Sequence, residues 1–247
     1  LSRYRGFMIV EKNKDEIGRV PLTDIEMLLF TSDGNSLSTN LVNALLEQNS
    51  MIIFCNHNFQ PAGQIWPTVP HHEHSHRLTL QIGTSLPLKK RLWQQIVRTK
   101  ITNQIKELDY FSEADLTLNS LTRRVGSGDP ENCEAQAARR YWPLLFGKDF
   151  RRNRKAKGIN SFLNYGYTIL RSATARAIAL SGLHISLGIH HHSQTNTFCL
   201  ADDLMEPFRP LVDYTVKEII RDGEKDINPE VKKKLAGILK IDLPTQV

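Results

Sequence analysis

The spacing of apolar residues divides the chain into two parts. In the first seventy residues, short apolar runs between polar turns predict β-strands; they are GFMIV at 6–10, IGRVPL at 17–22, EMLLFTS at 26–32, MIIFCNH at 51–57 and QIWPTV at 64–69. One helix is predicted among them, over 38–49, because Leu41, Ala44 and Leu45 recur at helical spacing. Ser36 or Ser38 can cap that helix.

Beyond these strands, apolar residues recur three and four positions apart, which predicts helices. The helical segments are 88–108, 114–125, 131–146, 159–180, 199–220 and 229–240. Between the two parts, residues 67–76 combine two prolines with four histidines, a composition typical of a linker, so these histidines are interpreted as linker and not as ligands. The prediction is an α+β fold with a β-rich domain over 1–70, a linker over 71–85 and an α-helical domain over 86–247.

Composition excludes several classes of protein. At 247 residues with 40% hydrophobic content the chain can build a proper core, so disorder is excluded. Its longest apolar runs fall far short of the ~20 residues that cross a bilayer, and no secretory signal is recognisable. Three widely spaced cysteines indicate a reducing cytoplasm. The chain does not begin with Met, and we expect its native N-terminus to be missing.

Three segments concentrate groups that bind metal: ENCE at 131–134, IHHH at 189–192 and DDLME at 202–206. On a helix, Asp202 and Asp203 would share a face with Glu206. A histidine combined with several carboxylates suits Mg²⁺ or Mn²⁺, which favours phosphate chemistry.

Each of these segments also has a simpler interpretation. Glu131 and Glu134 would suit the first turn of a helix, and the histidine run would suit a solvated loop. Cys133 and Cys199 are interpreted as core thiols, with a structural zinc site as the alternative.

Basic residues accumulate in the helical part of a chain whose net charge is +6. Between 150 and 158, five positive residues occur with no acidic residue among them, a pattern that favours contact with a phosphate backbone over a merely solvated face. The residues predicted to contact nucleic acid are Arg139, Arg140, Arg151, Arg152, Arg154, Lys155 and Lys157.

Three stretches, SGDPENCEAQAARRYW, RSATARAIALSGLH and GIHHHSQTNTFCLADDLMEPFRPLVD, resemble the CRISPR-associated integrase and endonuclease of the adaptation module, most closely its type II members. The resemblance is specific over about 120–215. It implies a β-rich N-terminal dimerisation domain, here lacking its first strands, joined by a linker to a helical catalytic and DNA-binding domain.

The resemblance also implies a catalytic site with Mg²⁺ or Mn²⁺ as its cofactor. The Glu of the family's NxE motif corresponds to Glu134 and the acidic residue of its DLME motif to Glu206. Counting from Gly188 selects His191 as the histidine ligand, with His192 as the fallback. Asp202, Asp203 and His190 would orient the ligands or replace them. The implied reaction is attack of a DNA 3′-hydroxyl on a phosphate at the boundary of a CRISPR repeat, which inserts the protospacer into the array.

The implied partners are double-stranded DNA, a second copy of the chain and a small adaptation protein, itself a dimer, which together form a heterohexamer in the prokaryotic cytoplasm. Further type II CRISPR proteins are possible partners, and no membrane is involved. Two alternatives remain: a catalytically inactive scaffold that presents DNA, and a general nuclease for branched DNA.

Overall fold

The computed structural model describes residues 1–68 and 71–241 and confirms the α+β fold. Its strands, in chain order, are β1 (Ser2–Tyr4), β2 (Phe7–Lys12), β3 (Asp15–Pro21), β4 (Met27–Phe30), β5 (Met51–Cys55) and β6 (Pro61–Ile65). Its α-helices are α1 (Thr39–Glu47), α2 (His74–Ile82), α3 (Leu86–Tyr110), α4 (Leu116–Arg124), α5 (Cys133–Phe146), α6 (Ile159–Leu180), α7 (Cys199–Met205), α8 (Arg209–Arg221) and α9 (Pro229–Ala236). Among these described residues, no helix is long and apolar enough to cross a bilayer.

The strands form two three-stranded sheets. β1, β2 and β3 make an antiparallel meander, in which Asn13 and Lys14 turn the chain with φ of 55° and 74°. Positive φ at two successive residues is the geometry of a tight hairpin turn whose twist matches the flanking strands. In the second sheet, β5 pairs in parallel with β4 and antiparallel with β6.

Strand β5 connects the sheets to the helices because its side chains alternate between two cores. Ile52 lies in the core that α1 covers, together with Leu41 and Leu45. Met51 and Ile53 point the other way and pack against Ala175 and other residues of the helical part. Burial on both faces explains why this segment is apolar without interruption.

Two further cores lie among the helices. One lies between α3, α4 and α5, and the other between α6, α8 and α9. At the crossing of α6 and α8, a Cβ on Gly166 would lie 2.5 Å from Cγ1 of Val212, so this contact requires glycine.

Several elements differ from the sequence prediction. The segment 71–85, interpreted as linker, contains helix α2. The strand predicted at 64–69 lies instead at β6, and Val69 of that segment is outside the described residues. The helix predicted over 199–220 is interrupted by a 3₁₀ turn at Glu206–Phe208, because Pro207 has no N–H to continue the helical hydrogen bonds.

Helix starts also differ in detail. Helix α5 begins at Cys133 and not at residue 131, because Asn132 adopts φ 53° and caps it. At α1, Ser38 provides the cap, since its Oγ accepts from the backbone N–H of Leu41 at 3.3 Å.

Candidate metal and nucleic-acid site

The three residues expected to bind metal line one cavity of 490 Å³. Glu134 comes from the first turn of α5, His191 from the loop between α6 and α7, and Glu206 from the 3₁₀ turn after α7. Lys100 of α3 lies between the two carboxylates. The fold therefore brings three distant sequence segments to one place.

The start of α5 positions Glu134. The two carboxylate oxygens of Asp129 accept the backbone N–H groups of Cys133 and Glu134 at 2.9 and 3.0 Å. These two amides would otherwise lack partners at the end of a helix. The side chain of Glu134 then reaches across the cavity to Nζ of Lys100, at 2.5 Å.

Glu206 is buried but remains ionised because two cations face it. Nζ of Lys100 lies 2.6 Å from Oε2, and Nε of Arg209 lies 2.7 Å from Oε1. Burial alone would raise the pKa of this carboxyl, but Arg209 and Lys100 outweigh burial and lower it to about 2. Burial lowers the pKa of the Lys100 ammonium group, but the charges of Glu206 and Glu134 raise it by more. The net effect is a raised pKa.

His191 is held by the buried carboxylate of Asp203. Its ring Nδ1 lies 2.6 Å from Oδ1 of Asp203. Because a carboxylate can only accept, Nδ1 carries the proton. Mainly through this hydrogen bond, Asp203 raises the pKa of His191.

The backbone of the histidine loop binds the same carboxylate. Asp203 accepts the N–H groups of Ile189, His190 and His191 at 2.6, 2.9 and 3.2 Å. A Cβ on Gly188 would lie 2.3 Å from the carbonyl oxygen of His191 and 3.0 Å from Oδ2 of Asp203, so the loop closes only with glycine at that position.

The two neighbouring histidines face other surroundings. The His190 ring stacks on Trp93 with ring centres 4.1 Å apart and planes 5° apart, and burial lowers its pKa. His192 is exposed. Of the three, only His191 lines the cavity of Glu134 and Glu206.

The three acidic residues of the DDLME segment have three different sets of partners, although on a regular helix Asp202 and Asp203 would share a face with Glu206. Asp202 forms an ion pair with Arg171 and accepts from Nδ2 of Asn196 at 2.7 Å. Asp203 binds the histidine loop, and Glu206 faces Lys100 and Arg209. These partners remove the repulsion expected among three clustered carboxylates.

Among the residues predicted to bind DNA, Arg152 and Arg154 line the cavity. Lys155 and Lys157 line a neighbouring cavity of 310 Å³. Arg140 pairs with Asp115 at 2.7 Å, and Arg151 donates to the carbonyls of Lys148 and Phe150. Neither these two arginines nor Arg139 lines the cavity.

Sequence reasoning missed Lys100, Gln104 and Arg209 as cavity residues. A signal for the first two exists in α3, whose buried face contains Val97, Lys100, Ile101, Gln104 and Leu108. Polar residues at helical spacing on a buried face usually need partners from another segment.

A second group of buried acids extends inward from the cavity wall, which includes Asp213, to Glu107. The Tyr141 hydroxyl bridges Glu107 and Asp213, and the Tyr167 hydroxyl donates to Asp213. Burial raises the pKa of Asp213 to about 7 and raises that of Glu107 well above its ordinary value. Arg209 lies over the Tyr167 ring at 4.7 Å, so the cluster supports the arginine that faces Glu206.

The cysteines occupy packed positions. Cys133 lies in the core of α3, α4 and α5, and buried Cys199 donates its thiol hydrogen to the carbonyl of Asn196 at 3.2 Å. Within residues 1–68 and 71–241, the one group of three potential ligands whose ligand atoms all lie within 4.8 Å of one another is His71, His72 and Glu73.

Comparison with known proteins identifies the family. The family model described as "CRISPR associated protein Cas1" matches residues 1–241. The chain belongs to the Cas1 family. This confirms the resemblance found in the sequence.

Individual relatives agree with this assignment. The chain is 39% identical over 243 residues to "CRISPR-associated endonuclease Cas1" of Neisseria meningitidis serogroup C, an alignment covering 97% of this chain and 79% of that protein. It is similar in fold to a structure described as "Casposase bound to integration product", with TM-score 0.77, 20% identity and coverage of 94% of this chain and 75% of that one. The chain is also similar in fold to a structure described as "Cas6-RT-Cas1--Cas2 complex", with TM-score 0.75 and 21% identity. The match covers 96% of this Cas1 family chain and 30% of the other chain.

Proposed function

We propose that this chain is a divalent-metal-dependent DNA endonuclease and integrase of CRISPR adaptation. It joins a DNA 3′-hydroxyl to a phosphate of repeat DNA, and the phosphodiester bond broken at that phosphate releases the 3′-hydroxyl of the cut repeat strand, so one phosphodiester is exchanged for another. The observation that carries the proposal is the convergence of Glu134, His191 and Glu206 on one cavity with an arginine-rich wall. The family assignment and the endonuclease relative in Neisseria support it.

The residues of the cavity fit a divalent cation such as Mg²⁺ or Mn²⁺. Glu134 and Glu206 already share one positive group, the ammonium of Lys100, so the pair accommodates a cation between two carboxylates. The Nδ1 of His191 is bound to a buried carboxylate, the arrangement that orients metal-binding histidines, and its other ring nitrogen is left as the ligand. Two carboxylates and one imidazole suit Mn²⁺ or Mg²⁺ better than a closed zinc site.

Each residue of the cavity has a distinct role in this proposal. Glu134, His191 and Glu206 hold the metal, which when bound polarises the attacked phosphate and stabilises the charge of the transition state. Asp203 orients His191 and fixes the loop that carries it. Lys100 and Arg209 keep Glu206 ionised.

The arginines of the wall hold DNA in the proposed complex. Arg154 is exposed at the cavity, and Arg171 is held by Asp202. Arg152 donates to Oδ1 of Asn160 and Asn164 at 2.9 and 2.7 Å, which fixes its guanidinium beside the site. Fixed guanidinium groups align phosphates for in-line attack.

The proposal includes partners and organisation. We propose that the β-rich part, with boundaries near 1–70, mediates homodimerisation, that 71–85 connects it to the catalytic part at 86–247, and that a Cas2-type protein completes a heterohexamer on DNA. The similarity in fold to a chain of the structure described as "Cas6-RT-Cas1--Cas2 complex" supports the Cas2-type partner.

Strand transfer tests the proposal. A duplex with free 3′-hydroxyls is incubated with repeat DNA, the Cas2-type partner and Mn²⁺, and joined products are separated from cut ones. Glu134→Ala and Glu206→Ala should abolish joining, whereas Glu131→Ala, an exposed neighbour paired with Arg124, should leave it intact. Unchanged joining in the first two variants would refute the proposal. Cutting without joining would favour the branched-DNA nuclease, and metal-independent DNA binding without either reaction would favour the scaffold.

A further inference from the structure

A second group of potential metal ligands lies outside the cavity, at the start of α2. His71, His72 and Glu73 each offer a ligand atom, and the three atoms lie within 4.8 Å of one another. The sequence pattern suggested only a linker at this point. The structure instead gathers two imidazoles and one carboxylate at the surface.

We propose that His71, His72 and Glu73 form a second metal site, selective for Zn²⁺ or a similar borderline cation. Two imidazoles and a carboxylate are the ligand set of open zinc sites, in which water takes the fourth position. The cavity offers the opposite balance, with two carboxylates and one imidazole. The two sites therefore differ in the class of metal they prefer.

The polar contacts of the three residues leave ligand atoms available. Nε and Nη2 of Arg77 both donate to Oε2 of Glu73, at 3.1 and 2.6 Å. Among the described residues, Oε1 of Glu73 accepts no hydrogen bond. Arg77 thus orients the carboxylate while one oxygen stays free for a metal, which is how outer partners commonly prepare a ligand.

The His71 and His72 rings stack with centres 4.5 Å apart and planes 22° apart. Because imidazole lone pairs lie in the ring plane, the exposed His72 ring has to turn about its side-chain bonds for both nitrogens to meet one metal. The backbone N–H of Glu73 donates to Nδ1 of His71 at 3.0 Å, so that nitrogen carries no proton.

The site adjoins the turn that ends α6. Arg77 donates through Nη1 to the carbonyl of Ser181 at 2.8 Å. A Cβ on Gly182 would lie 3.1 Å from both the His71 ring and Cδ of Arg77, so ring and turn are in close contact. A metal bound at this site would stabilise the start of α2 against the turn at Ser181 and Gly182.

Calorimetric titration of the full chain with Zn²⁺ tests the inference, in the Glu134→Ala, Glu206→Ala double variant so that the cavity does not contribute. We expect one equivalent to bind and thermal unfolding to shift upward with Zn²⁺. His72 is exposed and His71 is half-buried against the Gly182 turn, so circular dichroism of each variant checks that the fold is kept. His71→Ala with His72→Ala should abolish stoichiometric binding, and Arg77→Met should weaken it about tenfold.

His76→Ala is the matched control, an exposed histidine of the same segment outside the group, and should bind like the parent. Absence of one-to-one binding in the parent would overturn the inference. Equal binding in the His71→Ala, His72→Ala variant would also overturn it. Because strand transfer is not measured, failure here leaves the proposed function untouched.

Discussion

The carboxylate of Asp203 accepts the Nδ1 proton of His191 at 2.6 Å and, with the same two oxygens, three consecutive backbone amides of the loop that carries this histidine. One fully buried side chain thus fixes both the path of the loop and the direction of the ring. The residue that determines which histidine faces the cavity lies twelve positions along the chain from it.

Replacing Asp203 should therefore misplace His191 and weaken binding of the proposed metal. Asp203→Asn keeps the size of the side chain but replaces one accepting oxygen with an NH₂ group. That group would face N–H donors of the loop that carries His191 and could not accept from them. We expect strand transfer to fall about 10–100-fold, with a higher Mn²⁺ concentration at half-maximal rate. Rates measured across a Mn²⁺ series test this, and Ser193→Ala in the same exposed loop is the control. An unchanged rate and metal requirement would show that Asp203 does not orient His191.

In the absence of metal, Lys100→Met should lower the free energy of unfolding. Added Mn²⁺ should then raise the stability of this variant more than that of the parent. The substitution leaves Glu134 and buried Glu206 facing each other without their shared cation. Removing one partner from a buried ion pair costs about 3–5 kcal/mol of unfolding free energy. Denaturant unfolding with and without Mn²⁺ measures the effect, and Lys106→Met, an exposed lysine of the same helix, is the control. Equal stability of the two variants would contradict the prediction.

Gln81 of α2 should position the loop between α6 and α7 at its N-terminal end, ahead of His191. Its Nε2 donates to the carbonyls of His184 and Leu187 at 2.9 and 3.0 Å, and its Oε1 accepts the N–H of His184 at 2.8 Å. Gln81→Leu removes all three bonds, each worth about 1 kcal/mol.

We expect the Gln81→Leu variant to bind DNA normally but to join it more slowly. Binding and strand-transfer rates measured side by side provide the test, with the exposed Gln95→Leu as the matched control. A joining rate equal to that of the parent would exclude a positioning role for Gln81.

Asp213 should make stability depend on pH. Burial raises its pKa to about 7 in the folded chain, from an ordinary value of 3.8. The folded state therefore holds a proton that the unfolded state releases between these values, so this contribution is complete below about pH 4 and disappears as pH rises through 7. The loss amounts to about 1.4 kcal/mol per pH unit within that window.

Asp213→Asn mimics the protonated acid and should gain stability relative to the parent as pH rises from 4 to 8. Denaturant midpoints across this range test the prediction, and the exposed Asp149→Asn serves as the control. A difference between parent and Asp213→Asn that stays constant with pH would contradict the raised pKa.

The sequence predicted the fold class because strand and helix spacings are local properties. It did not predict α2, whose helix carries few apolar residues and is held instead by polar contacts of Arg77 and Gln81 with residues more than a hundred positions away. Nor did it predict the break after α7, although Pro207 is visible in the chain.

The choice of candidate ligands came from the family resemblance, and their convergence required the fold. The role of Lys100 was hidden because a lysine in a helix is usually solvated, and only the arrival of Glu134 and Glu206 makes it a buried cation. The sequence also could not predict that the basic residues of 150–158 line different cavities, because a run of charges does not show which side chains face the same cavity.

An anomalous-difference map from crystals of this chain grown with Mn²⁺ would test the metal site most directly. We expect a peak in the cavity contacted by a carboxylate oxygen of Glu134, a ring nitrogen of His191 and a carboxylate oxygen of Glu206, with no peak there in Glu206→Ala crystals. A cavity without a peak, in which Lys100 still joins the two carboxylates at saturating Mn²⁺, would contradict the account.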